Sequence, residues 1–206
     1  MKKMFAVMLA LVLTFAAFSA FAAKIEPLPN VNMAESLDDR TLYVGFKMEN
    51  VSDTAIIADI YDEQRYDTVD VHELAVGDVI VYLGEEITVN TIEDDYALEI
   101  NGGVHEENGI TLLADEGGTY LAYNENTPVY MFLGCAELIL ADQVNFRHWQ
   151  WESEGVLSED YSEVTVPAAG LKALLAEEGE DELHPESIAV CVEGGKVTEV
   201  TIDYVP

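Results

Sequence analysis

The sequence predicts a mainly β protein: a small antiparallel barrel or sandwich built from hairpins and meanders, with one short helix at about 167–178. Short runs rich in Val, Ile, Thr and Tyr recur along the chain, and Gly- and Asp-containing turns separate them. Near the C-terminus, Gly194 and Gly195 divide two such runs, which suits a two-residue type I′ hairpin turn. Helical spacing of apolar residues is confined to one segment. These three observations favour the β class.

Residues 1–22 have the organisation of a secretory signal peptide. Lys2 and Lys3 precede an apolar run, and the Ala-Phe-Ala sequence at 20–22 is a small-x-small cleavage box. A retained membrane anchor is the alternative, but the cleavage box and the polar sequence that follows it favour removal. We therefore predict cleavage after Ala22 and a secreted, extracytoplasmic chain that has no membrane partner once the signal is cut.

The remaining chain divides into an extended or disordered leader at 23–40 and a single β-rich domain at 41–206, for which the loop at 125–128 is the one place that suggests a subdivision. Asp62–Arg65 is interpreted as a polar connection between strands. The predicted strands are 41–49, 55–61, a three-stranded meander within 69–101, 110–114, 119–123, 129–140, 146–151 and the hairpin 187–193 with 196–204.

The longest apolar run and the helical segment each carry a local signal. The run at 129–140 is long enough for a buried helix, but its aromatic and β-branched residues and Gly134 favour a central strand that is bulged at the glycine. In the helical segment, Leu171, Leu174 and Leu175 form one stripe. That stripe predicts a helix that packs on the sheet.

The charge of the chain is strongly negative. It holds 40 Asp and Glu against 9 Lys and Arg, a formal charge of −31, and loss of Lys2 and Lys3 with the signal peptide would make it −33. Nucleic acids and anionic lipids bind through Lys and Arg, so this balance argues against both as partners. It favours divalent cations, basic proteins or solubility outside the cell.

Two cysteines, Cys135 and Cys191, remain in the predicted exported chain. An oxidising compartment permits a disulfide between them. Both also lie in apolar strand candidates, where buried free thiols are common, and Cys191 is expected to face the core. The sequence leaves both alternatives open.

The candidate binding site is an aromatic and cationic patch formed by Trp149, Trp151, Arg147 and His148. Such side chains, exposed together, would stack on a carbohydrate ring or on a cell-surface protein. The alternative is that the tryptophans are core residues.

Calcium is the cofactor that the acidic clusters suggest. Asp59, Asp62, Asp67 and Asp70 lie within twelve residues, and Ca²⁺ prefers oxygen ligands on loops. The spacing of a recognised calcium loop is absent. In a chain with so many carboxylates the alternative is a solvated acidic coat.

Catalytic motifs are absent from the sequence, including phosphate-binding glycine loops, nucleophile elbows and histidine pairs with metal spacing. Asp59 and Glu137 interrupt apolar runs, so a hydrolase that uses this carboxylate pair is one hypothesis. A calcium-dependent extracellular module is a second. The leading hypothesis is a secreted, acidic, non-enzymatic protein of the binding or cell-envelope type, with an unknown ligand.

Overall fold

The computed structural model describes residues 22–151, 157–178 and 183–203, so the predicted signal peptide lies outside the described residues except for Ala22. The mainly β class is confirmed. The strands are β1 (Lys24–Ile25), β2 (Arg40–Gly45), β3 (Ala55–Glu63), β4 (Arg65–Asp67), β5 (Val79–Tyr82), β6 (Glu85–Thr88), β7 (Ile92–Asp94), β8 (Leu98–Ile100), β9 (Ile110–Ala114), β10 (Thr119–Asn124), β11 (Thr127–Pro128), β12 (Tyr130–Trp151), β13 (Leu157–Pro167), β14 (Ile188–Glu193) and β15 (Lys196–Ile202).

Two α-helices and a 3-10 turn complete the described elements. They are α1 (Thr68–Glu73), α2 (Ala168–Glu178) and the turn Met48–Asn50. Helix α2 confirms the predicted helix, since Leu171 and Leu175 are fully buried and Leu174 is partly buried against the same core. Helix α1 was not predicted from the sequence. Among the described residues, neither helix is long and apolar enough to cross a bilayer.

The strands form three sheets. A small sheet has the order β1-β5-β6, and a second has the order β11-β10-β9-β8-β7 with β4 also paired to β10. The largest has the order β13-β12-β15-β14-β2-β3. Most strand pairs are antiparallel, as predicted, and two pairs, β1–β5 and β12–β15, are parallel.

Strand β12 is long enough to pair with different strands of the large sheet along its length. Residues 130–139 pair with β3, whereas the pairs with β15 begin at Leu140 and continue at 145–148. No described stretch of β12 is therefore hydrogen-bonded to β3 and β15 together, and the strands do not close into a barrel. The result is a coiled, sandwich-like sheet with α2 packed against β12 and β13.

Buried side chains form two hydrophobic clusters. One contains Ile25 and residues between Tyr66 and Val129, which belong to the two smaller sheets. The other joins the large sheet to Leu171 and Leu175 of α2. In sequence, the first cluster lies almost entirely between β3 and β12. Apart from β1, the strands of the smaller sheets are therefore inserted between two paired strands of the large sheet.

The predicted leader packs against both clusters and contributes a buried residue to each. Lys24 and Ile25 pair with β5, and Ile25 and Val31 are buried. Asp62, which is 3% exposed, accepts hydrogen bonds from the backbone N–H groups of Asn30 and Val31. A buried carboxylate at the end of β3 therefore fixes the leader to the large sheet.

The predicted polar connection at Asp62–Arg65 shortens to Gln64 alone, because Asp62 and Glu63 belong to β3 and Arg65 begins β4. Gln64 is fully buried, yet its side chain is satisfied: Nε2 donates to the Val81 carbonyl at 3.1 Å, and Oε1 accepts from the Leu83 N–H at 3.1 Å. Polar residues can occupy a core when every donor and acceptor finds a partner. These partners come from β5 and its turn, which sequence spacing does not reveal.

The predicted meander within 69–101 is divided between two sheets. Strands β5 and β6 pair with each other, but β7 pairs with β8 and continues into β9 and β10. The C-terminal hairpin is confirmed, with positive φ at Gly194 and Gly195. A register shift between Cys191 and Val192 places Cys191 opposite Glu199, so the cysteine is half-buried rather than in the core.

Candidate functional site

Two members of the predicted tryptophan patch, Arg147 and His148, lie on opposite faces of β12. Arg147 forms an ion pair with Glu199 at 3.2 Å. The ring of His148 instead stacks on the buried Phe146, with the centroids 5.6 Å apart. Consecutive strand residues point to opposite faces, so Arg147 and His148 do not share a surface. Trp149 and Trp151 continue the strand, but their side chains lie outside the described residues.

The predicted calcium ligands have separate structural roles. Asp59 faces outward from β3, and Asp62 points inward and binds the leader. Asp67 caps α1 by accepting from the Val69 N–H at 2.7 Å, and Asp70 lies exposed in the first turn of that helix. In the part of the chain that the structure describes, no three His, Cys, Asp or Glu side chains converge as a metal site would require.

The outer face of the large sheet carries a cluster of four aromatic rings, which we call the aromatic face. Tyr43 on β2 and Tyr61 on β3 are paired residues, and Tyr61 is paired with Phe132 on β12. Tyr61 packs edge-on against Phe132 at 5.8 Å, and Tyr43 packs edge-on against Tyr130 at 4.9 Å between centroids. Phe132 is 57% exposed. This face therefore presents aromatic surface that the core does not use.

The β-bulge at Gly134 produces this arrangement. Phe132 pairs with Tyr61 and Gly134 pairs with Ile60, so Leu133 is the extra residue. Without the bulge, Phe132 and Cys135 would point to opposite faces of the strand, because side chains alternate. With it, both face outward. Gly134 has a φ of +149°, a conformation that favours glycine. The bulge that the sequence predicts at this glycine is confirmed.

An open groove of about 530 Å³ borders the aromatic face. Its lining includes Lys47, Ile57, Asp59, Tyr61, Cys135 and His184. The side chain of Ile57 is 52% exposed, which adds an aliphatic surface beside the rings. An exposed apolar patch beside polar groups is typical of a ligand or partner site on a soluble protein.

The Cys135 thiol donates a hydrogen bond to Oδ1 of Asp59, at 2.8 Å. This contact raises the pKa of the thiol, since losing the proton would place a thiolate against a carboxylate. Cys135 is exposed, which corrects the expectation that it is buried in an apolar strand. Only one face of β12 contacts the core here. Both Cys135 and Cys191 are free thiols in the structure, so of the two alternatives that the sequence left open the structure has the unbridged cysteines.

Carboxylates surround the four rings. Burial raises the pKa of Tyr43, and the Glu63 carboxylate, which accepts from its hydroxyl at 3.5 Å, raises it further. Burial raises the pKa of Tyr61, and the negative charge of Asp59 raises it further. For Tyr130, burial is again the main cause of a raised pKa, with contributions from Tyr43, Glu63 and Glu186. The phenols therefore remain neutral beside negative groups.

The two carboxylates of the hydrolase hypothesis lie on the same outer face. Asp59 is opposite Cys135, and Glu137 is opposite Ile57, so the carboxylates are diagonal neighbours across the β3–β12 pair. Diagonal positions of an antiparallel pair are typically about 7–8 Å apart. This spacing is compatible with a pair of carboxylates that act as general acid and general base in a hydrolase. One of them, Asp59, is already engaged by the thiol.

Comparisons with known proteins give no match: no family model, no curated protein and no solved structure is significantly similar to this chain. The site must be interpreted from its own residues.

Sequence reasoning missed the aromatic face, although part of its signal was present. Ile57, Asp59 and Tyr61 alternate with the buried residues of β3, and this period of two indicates a face that does not contact the core. Tyr43 and Phe132 join that face only through pairing between strands that are distant in sequence. The tryptophans of β12 were predicted as the binding site instead, because they are close together in the sequence.

Proposed function

We propose that this chain is an exported, non-enzymatic binding protein that takes its ligand on the aromatic face. The observation that carries the proposal is the cluster of four outward-facing rings, with Phe132 more than half exposed beside an open groove. Aromatic side chains provide a large, rigid contact area, and they dominate the energetics of many binding surfaces. Export rests on the signal-peptide features of residues 1–22.

The chemistry of the groove favours binding over nucleophilic catalysis. A reactive cysteine needs a lowered pKa, whereas hydrogen bonding to Asp59 raises the pKa of the Cys135 thiol. The ligand classes that suit such a face are a cell-surface protein or a carbohydrate, because both offer apolar surface together with hydrogen-bonding groups.

The test compares Phe132→Ala with Val164→Ala. Val164 is an exposed apolar residue on β13, away from the aromatic face, and so provides a matched control. The exported chain and both variants are applied to an array of oligosaccharides and an array of peptides, and the dissociation constants of the retained probes are then measured. Loss of an aromatic anchor at the centre of a site should weaken binding by at least about tenfold, and Val164→Ala should have no effect.

Thermal unfolding shows whether Phe132→Ala remains folded, which is expected because the ring is exposed. If no probe distinguishes the wild-type chain from a folded Phe132→Ala variant, the aromatic face is not a binding site and the proposal is wrong.

A further inference from the structure

We infer that the ligand of the aromatic face is a basic polypeptide segment whose Lys or Arg side chains lie against the aromatic rings and the adjacent carboxylates. This inference rests on the proposed function, because it names the partner of the same site. It depends on the geometry of the rings, on the charges around them and on the length of the face.

The charges that face the rings are mostly negative. Asp59 and Glu137 lie on the outer side of the β3–β12 pair, and Glu63 contacts Tyr43. Glu186 is exposed and lies close enough to Tyr130 to affect its electrostatics. These four carboxylates border one continuous surface.

The nearby cations do not balance these groups. Arg65 is bound to Glu63, with both side chains largely buried, so this pair leaves no net charge for a ligand. Lys47 lines the groove, but Glu49 lines it as well. Asp59, Glu137 and Glu186 therefore give the face a net negative character, and the whole chain is strongly acidic.

Aromatic rings and carboxylates together recognise cations. The face of an aromatic ring attracts an ammonium or guanidinium group, and the carboxylates supply charge-assisted hydrogen bonds. Arg is well suited to both, because its planar guanidinium stacks on rings and binds carboxylates bidentately. A neutral sugar would use the rings but would gain nothing from the excess of negative charge.

The length of the face indicates an extended ligand. From Tyr130 to Glu137 the strand covers roughly 20 Å, at the usual rise per residue. Glu186 lies near the Tyr130 end, Asp59 lies in the middle, and Glu137 lies beyond it. A small organic cation would contact only one of these positions. A peptide with several basic side chains would contact all of them.

The experiment measures binding of N-acetyl tetra-arginine amide and of its neutral isostere, N-acetyl tetra-citrulline amide, to the full exported chain by calorimetry at two salt concentrations. The face variants are Phe132→Leu and Glu137→Gln. The controls are Tyr96→Leu, which removes an aromatic ring that is 96% exposed among other carboxylates, and Glu116→Gln, which removes an exposed charge elsewhere.

We expect the arginine peptide to bind and the citrulline peptide to bind at least about tenfold more weakly. Phe132→Leu should weaken arginine binding about two- to fivefold, the usual size of an exposed cation–π contact. Glu137→Gln should weaken it by a similar factor. Tyr96→Leu and Glu116→Gln should leave it unchanged.

Two results would overturn the inference. Equal loss of binding in the face variants and the control variants would show that the arginine peptide only samples the acidic coat. Equal binding of both peptides, sensitive to Phe132→Leu, would show that the face binds a neutral ligand, and the proposed function would then survive without its basic partner. Failure of the proposed function itself would be seen separately in the array experiment. In that case no oligosaccharide or peptide on the arrays would bind the wild-type chain more tightly than the Phe132→Ala variant.

Discussion

The Cys135 thiol and the Asp59 carboxylate are cross-strand partners whose side chains meet at 2.8 Å on the outer face of the large sheet. The contact depends on the bulge at Gly134, which turns Cys135 outward. It also favours the protonated thiol, because loss of the proton would place a thiolate against a carboxylate.

Asp59→Asn should therefore make Cys135 more reactive. The wild-type pKa of the thiol is raised above its ordinary value of 9.0, so the thiolate fraction at pH 8 is lower than in a free cysteine. Removing the carboxylate charge lowers the pKa and increases the thiolate fraction. The rate of alkylation by iodoacetamide is measured from pH 7 to 10 in a Cys191→Ser background. In the Asp59→Asn variant this rate should begin to increase at a lower pH than in the chain that retains Asp59.

The same linkage has a stability consequence. A raised pKa means that the folded chain holds this proton more tightly than the unfolded chain does. The stabilisation is thus present at neutral pH and is lost as the pH rises through the folded pKa.

An unchanged pH profile of alkylation in the Asp59→Asn variant would show that the Asp59 carboxylate does not control the pKa of the Cys135 thiol.

Gly134→Ala should destabilise the protein by about 1–3 kcal/mol, because a residue with a side chain is strained at a φ of +149°. Gly170→Ala is the matched control. Gly170 lies inside α2, and an added Cβ there would make only ordinary contacts with Val166 and Pro167. That substitution should stabilise the chain by roughly 0.5–1 kcal/mol. Urea unfolding of both variants measures the difference, and equal stabilities would contradict a strained bulge.

The sequence contains the local features of this fold. The bulge at Gly134, the leucine stripe of α2 and the Gly194-Gly195 turn each follow from neighbouring residues, and each is confirmed. The signal for α1 was also local, since Asp67 is an N-cap residue placed three positions before Asp70 in the first turn. It was missed because the β-branched residues around it favoured a strand.

The non-local features could not be predicted in the same way. The separation of β6 from β7 depends on which distant strand each one pairs with. The aromatic face likewise depends on β2, β3 and β12 lying side by side, whereas the residues that contribute its rings span Tyr43 to Phe132 in the sequence. Periodicity shows that a residue faces away from the core, but it does not show which residues from other strands lie beside it.

Calcium should shift the thermal midpoint no more than magnesium does at the same ionic strength. A metal at the predicted positions would compete with the hydrogen bonds that join Asp62 to the leader and Asp67 to the N-terminus of α1. Differential scanning fluorimetry in EDTA, Ca²⁺ and Mg²⁺ tests this expectation. A saturable shift specific to calcium, near the 2.7 kcal/mol expected at about 100 times the dissociation constant, would contradict it. Loss of that shift in Asp62→Asn with Asp67→Asn would then locate the site.

Cleavage of the signal peptide after Ala22 should add an ion pair to the fold. The backbone nitrogen of Ala23 donates to Oδ1 of Asp78 at 2.7 Å, beside the pairing of β1 with β5. In the cleaved chain this nitrogen becomes the terminal ammonium group, so a neutral hydrogen-bond donor is replaced by a cation facing a carboxylate. The contact is exposed, and its additional contribution should be about 0.5–1 kcal/mol.

The comparison that isolates this ion pair uses Asp78→Asn in two forms of the chain, one cleaved after Ala22 and one that retains residues 1–22. Asp78 also accepts from the Ala75 N–H at 2.8 Å, and the loss of that hydrogen bond affects both forms equally. The difference between the two destabilisations, measured by urea unfolding, therefore reports the ammonium contact alone. It should be larger in the cleaved form and should decrease at high salt, because salt screens an exposed ion pair. Equal destabilisation in both forms, or a mature N-terminus other than Ala23, would show that the ion pair does not form.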